Sequence, residues 1–260
     1  MCPAALILSV QRMDTSQAST EPDHTRTAIV TGASRGLGRA LATALAAAGY
    51  ALVIDARDGA GLEAARAALS ARHPGTTVTA VPGDVRDPAH RAALVRAAGR
   101  PGPDLLINNA GTLGASPLPA LADYPLDELR AAFEANVVAP VALIQALLPS
   151  LRQRGGAILN ITSDAATGAY AGWGGYGAVK AALEQASNVL AAEENSVRVW
   201  WVDPGDLRTR MHQEAFPGED ISDRPLPEEV VPGFLRLISG RLPSGRYRAP
   251  ELLPGVPASA

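Results

Sequence analysis

Cysteine is all but missing from this chain. Cys2 is the sole example in 260 residues, which excludes an internal disulfide framework and a thiolate zinc site and points to a reducing, cytoplasmic home. At the extreme terminus it is also a poor candidate nucleophile. The four histidines, His24, His73, His90 and His212, are scattered without metal-ligand spacing, so they read as packed or solvated side chains and no metal is expected. A net charge of −3 without runs of one sign excludes the basic footprint of a nucleic-acid binder and a polybasic membrane anchor. Small molecules are left as the expected partners. No uninterrupted apolar run reaches the ~18–20 residues that cross a bilayer, and "PAALILSV" near the start is short, with no basic residue before it, so neither a membrane span nor a signal peptide is expected. Lysine is scarce too: Lys180 is the single one among 23 Lys and Arg residues.

What is present is a regular alternation. Short apolar runs, "TAIVT" (27–31), "ALVID" (51–55), "TVTAV" (77–81), "DLLIN" (104–108), "GAILNIT" (156–162) and "VRVWWV" (197–202), read as strands. Between them lie Ala/Leu/Arg-rich stretches such as "RALATALAAAG", "GLEAARAALSAR" and "AHRAALVRAAG" with helical periodicity, and Gly49 and Gly99 stand where C-caps belong. Strand and helix alternating at this pitch predict right-handed crossovers and one α/β domain, a doubly wound parallel sheet. Residues 1–25 are polar and Ser/Thr-rich over much of their length and predict a disordered leader; 26–250 form the domain, and 251–260 a tail. After residue 203 a Pro/Gly-interrupted stretch, about 205–228, is long enough to be a lid. "VVPGFLRLISG" predicts a last helix and "GRYRAPEL" an edge strand.

The first strand-helix junction, "TGASRGLG", holds Gly32, Gly36 and Gly38. Glycines there permit a tight turn and close approach of backbone to a pyrophosphate at a helix N-terminus. Farther on, Tyr176 and Lys180 of "GYGAVK" are four apart, on one face of a predicted helix. Ser163 follows the fifth strand; no histidine or G-x-S-x-G elbow accompanies it to make a nucleophile. Asn136 interrupts the apolar helix "FEANVVAPVALIQALLPSL", an inconsistency that fits either a capped kink near Pro140 or a functional role.

Together "TGASRGLG", "NNAG" (108–111), Asn136, Ser163 and "YGAVK" resemble the short-chain dehydrogenase/reductase family, in the single-domain oxidoreductase form, from about residue 26 to 250. The resemblance implies a Rossmann-fold enzyme that moves hydride between a nicotinamide dinucleotide and a carbonyl or secondary alcohol, and a tetrad of Asn136, Ser163, Tyr176 and Lys180. It selects Ser163 over the neighbouring Thr162. In it, Tyr176 is acid or base, Ser163 bonds the substrate oxygen, and Asn136 holds a water that connects to Lys180, which also bonds the nicotinamide ribose. An ammonium near Tyr176 is expected to lower its pKa, since a unit charge at ~4 Å is worth ~4 kcal/mol at an effective dielectric of ~20.

The implied cofactor contacts are Gly32, Ser34, Arg35, Gly36, Leu37 and Gly38 in the glycine loop, Asp84 and Val85 beside the adenine, Asn109, Ala110 and Gly111 after the fourth strand, Tyr176 and Lys180, and Pro204, Gly205 and Thr209 under the carboxamide. At the end of the second strand the family's acidic position in NAD-preferring members falls on Ala56, followed by Arg57. Arg57 and Arg35 suit a 2′-phosphate, so NADP(H) is favoured; Asp55 could still reach the ribose if the strand ends one residue earlier, which keeps NAD(H) as the alternative. Trp173, between Ser163 and Tyr176, is a candidate for lining the pocket. A homodimer or homotetramer through the helices carrying Asn136 and Tyr176 is implied as well. A dinucleotide-binding sensor or scaffold without turnover is the rival from another class.

Overall fold

The computed structural model describes residues 25–253 and residue 255. The expected leader lies outside these residues except for Thr25, as do most of the last ten positions. Seven parallel strands form one sheet in the order β3-β2-β1-β4-β5-β6-β7: β1 Thr27–Val30, β2 Ala51–Ala56, β3 Val78–Pro82, β4 Leu105–Asn108, β5 Ala157–Ile161, β6 Arg198–Asp203 and β7 Gly245–Arg248. Pairing is in register along the whole sheet, as in Thr27 opposite Ala51 and Ala157 opposite Arg198. The order reverses between β1 and β4, and that reversal opens a crevice at the carboxyl ends of the strands. This is the doubly wound α/β fold that the alternation predicts.

Strand side chains alternate between two apolar layers. Ala28, Val30, Leu52, Ile54, Leu105 and Ile107 face α1 (Gly36–Ala47), α2 (Gly59–Arg72) and α8 (Pro227–Ser239), where Leu41, Leu45, Leu62, Leu69 and Phe234 cover them. Ile29, Val53, Leu106 and Ile158 point the other way, toward Leu94 of α3 (Pro88–Ala97) and Leu143, Leu147 and Leu151 of α5 (Ala139–Arg154). Both faces being covered explains why the strands read as continuous apolar runs. Gly49 and Gly99 stand at φ +82° and +66° just past α1 and α3, the left-handed geometry that ends a helix and that glycine adopts at least cost.

One expectation needs correction. Residues Leu126–Arg154 form a continuous helix, α4 (Leu126–Phe133) running through a π turn into α5, long and apolar enough by length and composition to cross a membrane. The sequence showed no uninterrupted run because Asn136, Gln145 and Ser150 break the charge-free stretch that follows Glu134. Its apolar face has a partner in this fold: Leu143, Ile144, Leu147 and Leu151 are buried against the sheet. The anticipated irregularity near Asn136 is the π turn itself, Glu134–Val138, a wider turn that often marks functional positions. The segment from 205 to 228 contains the short helix α7 (Arg210–Ala215), and α6 (Gly174–Glu193) carries "YGAVK".

Candidate active site

A cleft of about 770 Å³ runs across the carboxyl edge of the sheet. At one end is the glycine loop. Gly32 has φ +68° and Gly36 φ +56°, and a Cβ on Gly38 would collide with the Gly32 carbonyl oxygen and Asn109 Nδ2. Asn109 clamps the loop, donating from Nδ2 to the Thr31 carbonyl at 2.8 Å. Thr31 Oγ1 in turn accepts from Asn109 N at 2.9 Å and Ala110 N at 3.0 Å. The "NNAG" segment is thereby held against "TGASRGLG".

Helix α1 begins at Gly36 with Arg35 as N-cap, no side-chain cap and no acidic residue in its first turn. By contrast α2 and α3 are capped by Asp58 and Asp87. An uncapped helix start beside a cleft leaves peptide N–H groups and the positive end of the helix dipole for an anion. Ser34, Arg35, Leu37 and Arg57 stand in the same cleft wall, the two arginines exposed.

Asp55 lines the cleft, but both oxygens of its carboxylate already have partners within the chain. β2 runs through Ala56, one residue past it. The Asp55 side chain is 1% exposed; Oδ1 accepts from Gly32 N at 2.7 Å and Oδ2 faces His90 Nε2 at 3.0 Å. Burial pushes this carboxyl up, opposed by His90. Asp84 and Val85 reach the cleft as expected. Asp84 is forked by Arg86, with Nη2 to Oδ2 at 2.7 Å, and this pair holds its carboxyl low.

At the other end, α6 lies across the tip of β5. Lys180 is buried, and Nζ donates to the Ile161 carbonyl at 2.9 Å. Burial lowers its pKa to about 8. The Tyr176 ring lies with its centroid 5.4 Å from Nζ. Its phenol is pushed above the usual tyrosine range, mainly by burial, with Asp203 and Asp164 adding to the effect. The groups that set this shift are burial, Asp203 and Asp164, and the expected downward pull of Lys180 is not among them. Ser163 Oγ accepts from Ala165 N at 3.1 Å and donates to Asp164 Oδ1 at 3.0 Å.

Asn136, 1% exposed, stands behind the cleft wall. Its Nδ2 donates to the Thr112 and Ala132 carbonyls at 3.0 and 2.9 Å. A Cβ on Gly111 would strike Asn136 Oδ1 and come within 3.8 Å of Lys180 Nζ. Gly111 is therefore the slot through which the asparagine and the lysine adjoin.

Of the candidate site residues taken from the sequence, all but Asn136 line this one cleft, Asp55 and Trp173 included. Trp173 meets Tyr176 edge to face at 5.7 Å and Phe216 at 5.9 Å. Sequence reasoning missed Thr31, His90, Arg86, Asp203, Glu184 and Arg246. Glu184, one turn beyond Lys180, accepts from Thr162 Oγ1 at 2.8 Å and Arg246 Nε at 2.9 Å. The i, i+4, i+8 spacing of Tyr176, Lys180 and Glu184 was its one available signal.

Comparison with known proteins agrees with the geometry. The family described as short chain dehydrogenase matches residues 26–220. Sepiapterin reductase of Meriones unguiculatus is 37% identical over 199 residues, 72% of this chain and 76% of that protein. The rhamnolipids biosynthesis 3-oxoacyl-[acyl-carrier-protein] reductase of Pseudomonas aeruginosa is 33% identical over 240 residues, 87% of this chain and 85% of its own. Among solved structures, a short chain dehydrogenase of Shigella flexneri complexed with NADP superposes with a TM-score of 0.81 at 29% identity, covering 86% of this chain and 97% of that one. With the match spanning most of the domain, from the glycine loop past α7, the chain belongs to the short-chain dehydrogenase/reductase family of oxidoreductases.

Proposed function

We propose that the protein exchanges hydride between NADP(H) and a carbonyl or secondary alcohol substrate, with Tyr176 as acid or base. The observation that carries this is a single cleft with an uncapped helix start and two exposed arginines at one end, and Ser163, Tyr176 and Lys180 at the other. The residues present fit a dinucleotide. The glycine loop has no side chain in the way, the α1 N-terminus suits the pyrophosphate, and Arg35 and Arg57 suit the 2′-phosphate, with the Asp55 oxygens engaged by Gly32 and His90. The NADP bound to the Shigella relative and the two reductases among the relatives support the same cofactor and direction.

When bound, the nicotinamide supplies or accepts the hydride. The chain's residues manage the oxygen and its proton. In reduction the substrate carbonyl oxygen accepts from Tyr176 and from Ser163, whose hydroxyl turns from Asp164 to the substrate. Developing negative charge on that oxygen is stabilised by these donors. Tyr176, which carries its proton near neutrality, then yields it to that oxygen. Lys180, fixed on the Ile161 carbonyl, returns a proton toward the phenolate with Asn136 behind it.

The test is hydride transfer from NADPH across a carbonyl panel, for wild type and Tyr176→Phe. The variant should retain NADPH binding and lose activity by ~10²–10⁴-fold. NADPH binding without any tyrosine-dependent turnover would favour a sensor instead. For the cofactor, Arg57→Ala should weaken NADPH by ~10–100-fold while sparing NADH, the effect of losing one charge-assisted bond of ~1.5–3 kcal/mol. Equal losses for both cofactors would remove Arg57 from the 2′-phosphate.

A further inference from the structure

Beneath the cofactor end of the cleft lies a buried ionisable pair that the proposed chemistry does not use. His90 projects from α3, and its side chain is 5% exposed; its Nε2 lies 3.0 Å from Asp55 Oδ2. Asp55 holds the first two amides of the glycine loop, Gly32 N on its side chain at 2.7 Å and Ala33 N on its carbonyl at 2.8 Å. The His90 ring also fills the space over Gly83, where any Cβ would collide with it. Gly83 is tied back to β2 through its N–H to the Ala56 carbonyl at 3.0 Å, and it leads directly into Asp84 and Val85. One imidazole therefore braces both the glycine loop and the turn expected beside the adenine.

We propose that His90 is a positioning residue for the adenosine half of the dinucleotide, setting the glycine loop through Asp55 and the 83–85 turn by ring contact. This rests on the dinucleotide function proposed above. The physical reason is the cost of an unmatched buried carboxylate. Oδ1 is committed to Gly32, and Oδ2 faces His90 Nε2. Without the imidazole, Asp55 must take up a proton or move, and either change loosens its hold on the loop. Leucine at 90 would remove the donor; glutamine would return an N–H near the place of Nε2.

The experiment measures two things on wild type, His90→Leu and His90→Gln: amide hydrogen exchange at Gly32 and Ala33, and binding of NADPH and of 2′,5′-ADP, which carries the adenosine end alone. His90→Leu should speed exchange at both amides at least tenfold and weaken both ligands at least tenfold. His90→Gln should bind both within about threefold of wild type, a rescue that loss of core packing would not produce. Unchanged exchange together with unchanged 2′,5′-ADP affinity in His90→Leu overturns the proposal, as does failure of His90→Gln to rescue either readout. If His90→Leu does not fold by circular dichroism, His90→Asn, whose amide stops short of Asp55, takes its place with the same expectations. Should wild type bind neither ligand, the cofactor assignment fails on its own, and the exchange rates alone decide the role of His90 in holding the loop.

Discussion

At the residue scale, Lys180 shows why a chain that otherwise uses arginine keeps one ammonium. Nζ sits on the Ile161 carbonyl at the cleft wall, next to Gly111. A planar guanidinium is wider than an ammonium and presents its donors in a fixed fork, so it does not reproduce the Nζ contact to the Ile161 carbonyl in the same space. Lys180→Arg keeps the charge and should still lower kcat at least ~100-fold, measured at saturating NADPH; full activity would mean that charge alone suffices there. The pH dependence follows from the signs of the shifts. Burial brings the ammonium down to about 8 and raises the phenol, so below pH 8 both groups carry their protons. Carbonyl reduction should be level there and fall as pH rises through about 8, when Lys180 loses its charge while Tyr176 is still protonated. Lys180→Met should have a lower rate without that limb. A limb that persists in Lys180→Met would belong to another group.

At the element scale, the site depends on how α6 lies on β5 and on what holds it there. Tyr176, Lys180 and Glu184 occupy successive turns, and the last two grip the ends of Ile161 and Thr162. Arg246 of the edge strand β7 closes the arrangement: it donates to Glu184 and stands 3.4 Å from the Ser163 carbonyl and 4.0 Å from Asp203. Arg246→Ala should cost about 1–3 kcal/mol of stability, the loss of a partly buried charged hydrogen bond, and lower kcat about tenfold with NADPH affinity unchanged. Arg246→Lys should recover part of the loss. Parallel loss of NADPH affinity would show a general collapse rather than misplacement of Ser163. This network also marks where the sequence stops being readable. The strand runs, the glycine loop and the Tyr-Lys pair declare themselves through spacings of two, three and four residues, which local geometry preserves. Arg246 lies 62 residues from Glu184, and His90 35 from Asp55; only the folded sheet brings such pairs together. For the same reason Asp55 looked like a ribose ligand, since its own strand contains nothing that reveals the histidine.

At the scale of the whole molecule, the sheet order puts all the proposed chemistry at one edge and leaves the flanking helices free for other work. Helices α4 to α6 carry Asn136 and Tyr176 inward, yet Val138 is 43% exposed and Val189 45% exposed on their outer surfaces. Neither residue lines the cleft. Exposed β-branched residues on apolar helices gain by burial, about 1.5–3 kcal/mol for a fully covered valine, and the family resemblance implies a homodimer or homotetramer through these helices. Light scattering at tens of micromolar should therefore give twice or four times the chain mass. The double variant Val138→Glu, Val189→Glu should reduce it to one chain by placing carboxylates where apolar contact is expected. Its NADPH affinity should stay within about twofold of wild type, because the glycine loop and the Asp55–His90 brace lie within a single chain. A wild type that scatters as a monomer sinks the oligomer. A dissociated variant that has lost NADPH binding would show instead that the cleft is held in shape by the neighbouring subunit.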